Sequence, residues 1–410
     1  MMKRYIRKPL YNRLLRSLTG QPNYLQAVVG PRQVGKTTLA LQLLERWNGP
    51  KRYESADQPD TPSRDWIVAQ WEKIRDDCRG TRKAALLVLD EIQKIPRWST
   101  AVKRCFDEDR RRRLNIRVVL LGSSALLMQK GLSESLAGRF EVHRHHQWSF
   151  EECRECFSLS LEEYLYFGGY PGALALRKDE TRWAHYVRDS LIETVLSKDI
   201  LLMAPVSKPA LLRQAFGLAV RHPAEIMSYQ KMQGSLQDAG NTTTLASYLH
   251  LLEKAFLIAP LERWSGSRVR QRGSIPKILV MDNGLCSAMR DSRFGTFRRD
   301  RQAMGRVVEN AVGIKLYFEA QSRGGELFYW RERDFEIDYI LKIGNRIVAI
   351  EVKTGSDGLN VSALEAFRKK NRDAEFRIIT PPMSGSAAKT VQPYPLISLK
   401  EFFGASNVPL

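Results

Sequence analysis

Eight consecutive residues set the strongest limit on what this chain can fold into: Gly30-Pro31-Arg32-Gln33-Val34-Gly35-Lys36-Thr37. They follow the apolar run Leu25-Gln26-Ala27-Val28-Val29 and precede Leu39-Ala40-Leu41-Gln42-Leu43-Leu44, which reads as a helix. Glycines in a strand-to-helix turn let backbone N–H groups point inward, and the helix N-terminus behind them favours negative charge. This is the complete Walker A pattern in the context its chemistry requires. Gly30, Pro31, Arg32, Gln33, Val34, Gly35, Lys36, Thr37 and Thr38 are expected to surround the phosphates of ATP. Lys36 reaches the β- and γ-phosphates, and the Thr37 hydroxyl ligates Mg²⁺.

A second strand, Leu86-Leu87-Val88-Leu89, ends in Asp90-Glu91, which reads as Walker B. Asp90 is expected to hold Mg²⁺ through its water shell, and Glu91 to act as the base that activates the attacking water. The run Ile116 to Leu121 ends in Gly122-Ser123-Ser124, where Ser123 is a candidate contact to the γ-phosphate or the lytic water. In Ser135-Leu136-Ala137-Gly138-Arg139, Arg139 is a candidate to neutralise charge at a neighbouring subunit's nucleotide. The nearly continuous apolar runs predict the buried strands of a parallel sheet, hence an α/β fold.

The chain has 410 residues, enough for two or three domains. No apolar run approaches a membrane span, and the basic start has no apolar core after it, so no membrane segment or secretory signal is expected. Five cysteines are too few for a disulfide framework; a cytoplasmic protein is expected. Lys and Arg number 65 against 45 Asp and Glu, a formal charge of +20. That balance attracts polyanions, with DNA the first candidate partner.

The middle of the chain reads as mostly helical from Glu151 to Ala288, interrupted by Gly168-Gly169-Tyr170-Pro171-Gly172. A helix through Thr242 to Lys254 is followed by strands at Leu257 to Trp264 and Lys277 to Met281. Between them lies a basic tip with Arg268, Arg270 and Arg272, expected to grip DNA phosphates. The order is that of a winged helix, with mainly backbone recognition. The loop from Asp291 to Asp300 is the expected linker before the last part.

Near the end, Asp334-Phe335-Glu336-Ile337-Asp338 and Ile350-Glu351-Val352-Lys353 read as two strands of a hairpin. Alternation puts Glu336 with Asp338 on one face, and Glu351 with Lys353 on one face. Asp338 and Glu351 are expected to hold Mg²⁺, with Lys353 beside them as a catalytic cation and Glu309 as a further carboxylate. The bland alternative is a fold that keeps these residues as surface ion pairs.

Taken together, the Walker motifs, Gly122-Ser123-Ser124, Leu136-Ala137-Gly138-Arg139 and the Gly168 to Gly172 turn resemble AAA+ ATPases, in particular a prokaryotic branch with a C-terminal domain long labelled as of unknown function. The hairpin resembles the PD-(D/E)xK restriction-endonuclease-like core, with Asp338, Glu351 and Lys353 at its signature positions. The resemblance implies a P-loop AAA+ domain (1–150), a helical lid (151–235), a winged helix (236–290) and a nuclease-like α/β domain (300–410). It also implies a homo-oligomer, such as a hexameric ring with ATP between subunits. The expected activity is ATP hydrolysis coupled to DNA binding or remodelling, on branched or damaged DNA. The alternative is a nucleotide-switched regulatory or defence module that binds a protein partner and carries an inactive nuclease-like domain. His143-Arg144-His145-His146 and Cys153-x-x-Cys156 lack the companion ligands of a metal or redox site.

Overall fold

The computed structural model describes residues 5–21, 23–122, 128, 135–201, 206–236, 241–265, 274–290, 292–353, 361–381, 390–391 and 394–405. The chain divides into two units, Met1–Gln147 and Trp148–Leu410.

The first unit is built on five parallel strands: β1 (Leu25–Val29), β2 (Lys51–Ser55), β3 (Ala85–Asp90), β4 (Ile116–Gly122) and β5 (Phe140–Arg144). Their order is β2-β3-β4-β1-β5. Every residue of β1, β3 and β4 is buried, which is why these runs carry no alternating polar positions. One face packs against α1 (Lys8–Thr19) and α2 (Lys36–Arg46). Leu10, Leu14 and Leu18 of α1 recur every four residues and meet Leu39 and Leu43 of α2 over Val28, Val88 and Leu121. Two further helices, α3 (Arg64–Asp77) and α4 (Trp98–Arg112), are tied by a buried polar cluster. The Asp109 carboxylate accepts from Trp71 Nε1 at 2.6 Å and from Arg75 Nε at 2.7 Å. A buried guanidinium is tolerable only with such pairing. At the end of α4, Arg110 lies over the Phe106 ring and Arg112 pairs with Glu108, so the arginine run is an ion-paired, stacked helix end.

The second unit opens with two short helices, Phe150–Phe157 and Leu161–Phe167, each started by a reciprocal Ser/Glu capping box. The second stops at Gly168, whose φ of +75° disfavours any side chain. A Cβ at Gly168 would also lie 1.9 Å from Asp282 Oδ1. The buried Asp282 carboxylate accepts from the Gly169 N–H at 2.7 Å and the Gly284 N–H at 2.8 Å. The Gly-Gly turn is therefore docked on a residue more than a hundred positions later.

Three short strands follow: β6 (Glu225–Ile226), β7 (Ile258–Leu261) and β8 (Lys277–Val280), antiparallel in the order β6-β8-β7. They are accompanied by helices Pro209–Arg221, Tyr229–Ser235 and Thr242–Lys254. The expected β7–β8 return is present, and β6 joins it from a segment read as helical. The basic tip with Arg268, Arg270 and Arg272 lies outside the described residues. The expected linker is not a free tether. Its short helix Phe294–Phe297 puts Phe294 against Tyr166 and Phe167, and Phe297, 1% exposed, against Tyr166. The polar composition of that loop hid two aromatic anchors.

The remaining residues form a mixed sheet: β9 (Glu326–Glu332), β10 (Phe335–Ile343), β11 (Arg346–Val352), β12 (Glu375–Thr380), β13 (Thr390–Val391) and β14 (Tyr394–Ser398). The order is β13-β14-β12-β11-β10-β9. The first three strands are an antiparallel meander, as the Gly344-Asn345 turn predicts, and β11, β12 and β14 run parallel. The helix Ser362–Lys370 crosses between β11 and β12, burying Leu364 and Phe367 among Trp330, Ile340 and Phe376. A 22-residue helix, Arg301–Ser322, precedes the sheet.

Replacing Asp282 with Ala leaves the Gly169 and Gly284 amides without their acceptor, at about 1–3 kcal/mol each. A lowered midpoint in chemical denaturation is expected. A change below about 0.5 kcal/mol would contradict this role.

Candidate functional site

The loop between β1 and α2 has the conformation its sequence demands. Gln33 and Gly35 take positive φ, +60° and +98°, so the chain reverses tightly before the helix begins at Lys36. Gly30 is required for a different reason: a Cβ there would lie 2.0 Å from the His145 carbonyl oxygen. His145 continues β5, and its N–H donates to Val29 O at 2.8 Å, which presses this backbone against the loop. Burial, with the positive charges of Arg7 and Lys36, holds the His145 imidazole well below its usual pKa and therefore neutral. Lys36 is buried, and its ammonium donates to the carbonyls of Pro31 at 2.6 Å and Gly30 at 3.0 Å. Thr37 and Thr38 are exposed at the start of α2.

The sheet order brings the second motif alongside. Asp90 ends β3 with 4% exposure, and its Oδ2 accepts from the Thr37 hydroxyl at 2.7 Å. The two expected metal-holding side chains are thus in direct contact across 53 residues of sequence. Two partners went unread in the sequence. Tyr53, on β2, donates its hydroxyl to the same Asp90 oxygen at 2.8 Å, and burial plus the Asp90 charge hold its pKa above the ordinary phenol value. Gln93 donates its amide to Glu91 Oε2 at 2.5 Å. Glu91 itself sits at φ +51°, outside the strand geometry of Asp90. A Cβ at Gly122 would come within 2.7 Å of Gln93 Oε1, so the glycine closing β4 leaves room for that amide.

Arg139 lies just before β5, and its carbonyl accepts from Leu25 N–H at the start of β1. It is therefore at the opposite end of the parallel strands from Gly30, about 16 Å away at ~3.3 Å per strand residue. It does not serve the phosphate loop of its own chain. Its guanidinium makes a paired contact with Asp107, at 2.7 and 3.1 Å. Ser123 lies outside the described residues.

In the second unit, β10 and β11 bring together the carboxylates read from the sequence, Asp338 beside Lys277 and Glu351 beside Lys353. Lys353 Nζ is 2.7 Å from Glu351 Oε1. Asp338 Oδ2 accepts from Val352 N–H at 2.8 Å, and Oδ1 lies 3.2 Å from Nζ of Lys277 on β8. Glu309, from the long helix, joins at 2.6 Å from the same ammonium. Among the described residues no group of three or more His, Cys, Asp or Glu side chains is arranged to hold a metal ion. In the sequence Lys277 is only the first residue of a return strand, and one lysine at a strand end gives no signal of burial.

Residues 22–154 match the family described as AAA domain. Residues 158–295 and 304–391 match the domains of unknown function DUF8612 and DUF4143. The chain is similar to an uncharacterized protein of Methanocaldococcus jannaschii, at 22% identity over 355 residues, covering 78% of this chain and 72% of the relative. Among solved structures it is similar to the Thermotoga maritima RuvB Holliday junction branch migration motor. There the identity is 14%, with 62% of this chain and 89% of that chain covered and a TM-score of 0.33. The Aeropyrum pernix ORC1 protein in complex with DNA is likewise similar, at 12% identity, 72% and 95% coverage and a TM-score of 0.31. The first unit is an α/β fold with a parallel-sheet core that carries a phosphate-loop motif and lies within the stretch matching the AAA domain model, and the C-terminal part carries a mixed sheet.

Tyr53→Phe removes one donor to Asp90 without touching the loop. Mg²⁺-dependent nucleotide affinity is expected to fall by about three- to tenfold, while affinity without the ion is unchanged. Equal affinities for both proteins in Mg²⁺ would refute the role of the tyrosine.

Proposed function

We propose that the chain is an ATP-hydrolysing, DNA-directed machine in which the first unit turns over nucleotide and the second engages DNA. The observation that carries this reading is the Thr37–Asp90 contact at the start of the helix that follows the phosphate loop, with the positive charge of Lys36 next in the chain to Thr37 and Glu91 next to Asp90. These residues fit Mg·ATP: Thr37 and Asp90 would hold the ion, which supplies charge neutralisation at the β- and γ-oxygens. Lys36 exchanges its loop carbonyls for phosphate oxygens, a stronger charge-assisted contact. Glu91, held by Gln93, accepts the proton as water oxygen bonds to the γ-phosphorus and the bond to the β-phosphate oxygen breaks.

Arg139 suits a role between subunits. Because it sits at the far end of the strands, it would complete a neighbour's site in a homo-oligomer such as a hexameric ring, after leaving Asp107. In the second unit, the helix-strand-helix-helix-strand-strand order with sheet β6-β8-β7 supports the winged-helix reading. The meander β9-β10-β11, with Asp338, Glu351 and Lys353 converging, supports the endonuclease-like reading of the C-terminal domain. The charge of +20 supports DNA as the polyanion, gripped mainly through its backbone by Arg268, Arg270 and Arg272. Branched or damaged DNA is the proposed substrate. A second reading, a nucleotide-switched module with a non-cutting C-terminal domain, is favoured by one observation: Asp338 and Glu351 are already occupied by lysines.

Lys36→Ala is expected to abolish ATP turnover, whereas Glu91→Gln keeps nucleotide binding and slows turnover by about 10²–10⁴-fold. Phosphate release and calorimetric titration distinguish the two; turnover surviving in Lys36→Ala would sink the site. Filter binding to duplex, forked and single-stranded DNA is expected to weaken steeply as salt rises. No retention of any DNA at low salt would favour the protein-binding module.

A further inference from the structure

Lys277 is 0% exposed, at the start of a strand whose other residues, Ile278, Leu279 and Val280, are buried and apolar. An ammonium in such a place is costly unless oxygen atoms surround it. Four do. Glu309 Oε1 lies at 2.6 Å, Asp338 Oδ1 at 3.2 Å, the Asp338 carbonyl at 3.4 Å and Glu336 Oε1 at 3.8 Å, while the Tyr339 ring stands 4.9 Å away as a π face. These oxygens come from a helix and from the first strand of the hairpin, the elements that would cage a cation in an endonuclease-like centre. Glu351 stands beside them, with Lys353 as its partner. Burial and the Asp338 charge push Glu309 up to about 8 and Glu351 up to about 7, while the two lysines pull them back. Arg306, 3.6 Å from Glu309 Oε2, and Arg331, 4.0 Å from Glu336 Oε2, add charge from more exposed positions, so Lys277 is the fully buried cation of the cluster.

A divalent ion does not fit this arrangement. Mg²⁺ needs about six oxygens near 2.0–2.1 Å, several of them from water. The Lys277 ammonium already bridges Glu309 and Asp338, and the second Asp338 oxygen is committed to the Val352 N–H. We propose that the Lys277 ammonium takes the place of the divalent cation in the C-terminal carboxylate centre, which makes this domain a metal-free, non-cutting version of its fold. This inference rests on the endonuclease-like reading above. Under it, Lys277 is a resident counter-ion, and its removal opens a cation site.

The test is Mn²⁺ titration of the nucleotide-free full-length chain, followed by the electron paramagnetic resonance of the free ion. Wild type is compared with Lys277→Met, Asp338→Asn and the Lys277→Met/Asp338→Asn double variant, with ATP turnover as the check that the chain is intact. Wild type is expected to show no Mn²⁺ binding that depends on Asp338. Lys277→Met is expected to bind Mn²⁺ about tenfold or more tightly than wild type, to melt at higher temperature when the ion is added, and to lose both gains in the double variant. Asp338-dependent Mn²⁺ binding by wild type would overturn the proposal and leave the endonuclease-like reading standing. An intact Lys277→Met protein that binds no Mn²⁺ would overturn both. If Lys277→Met does not fold in plain buffer, refolding in Mn²⁺ decides: recovery of the fold supports substitution by the ion, and failure to recover rejects it.

Discussion

A lysine removed from water has to be given oxygen atoms, and this chain meets that requirement at both of its centres. In the first unit the buried Lys36 rests on two loop carbonyls, neutral groups that a phosphate displaces readily. In the second, Lys277 rests on carboxylates whose own burial demands a cation. The same side chain is therefore held by neutral oxygens in one setting and by charged ones in the other. The difference lies in the charge of its partners rather than in the lysine.

The geometry around Lys36 follows from strand order. Placing β4 between β1 and β3 keeps the phosphate loop and Asp90 at one end of the sheet, close enough for Thr37 to bond Asp90 directly. Glycines at 30 and 122 then admit the His145 backbone and the Gln93 side chain. The close approaches are made by the His145 backbone at Gly30 and by the Met128 and Gln93 side chains at Gly122, so this end of the sheet is crowded, with Asp90 held from two sides. Preorganisation of this kind lowers the rearrangement needed when charge develops.

The loop before Lys36 and its contact with the end of β3 were legible in the sequence, because their signal is local. Gly30 to Thr37 and Leu86 to Glu91 each carry strand, turn and chemistry within a few residues. Tyr53 and Gln93 were not legible: Tyr53 acts from a neighbouring strand through tertiary register, and glutamine after a Walker B strand has no distinctive pattern. The hairpin with Asp338, Glu351 and Lys353 was read correctly as a hairpin, since alternation and the Gly344 turn are local. Its charge balance was not, because Lys277 arrives from 61 positions away. The linker expectation failed for a related reason: Arg and Asp make up half of that loop, while Phe294 and Phe297 act through partners far upstream.

The Lys277 contact also ties together two stretches that match separate families, 158–295 and 304–391. Neither stretch is self-sufficient, for one owns the ammonium and the other the acids that neutralise it. Recombination between relatives at the junction near residue 300 would orphan charge on both sides unless the lysine and its carboxylates travelled together. Loss of either member alone would leave a buried charge without its counter-ion.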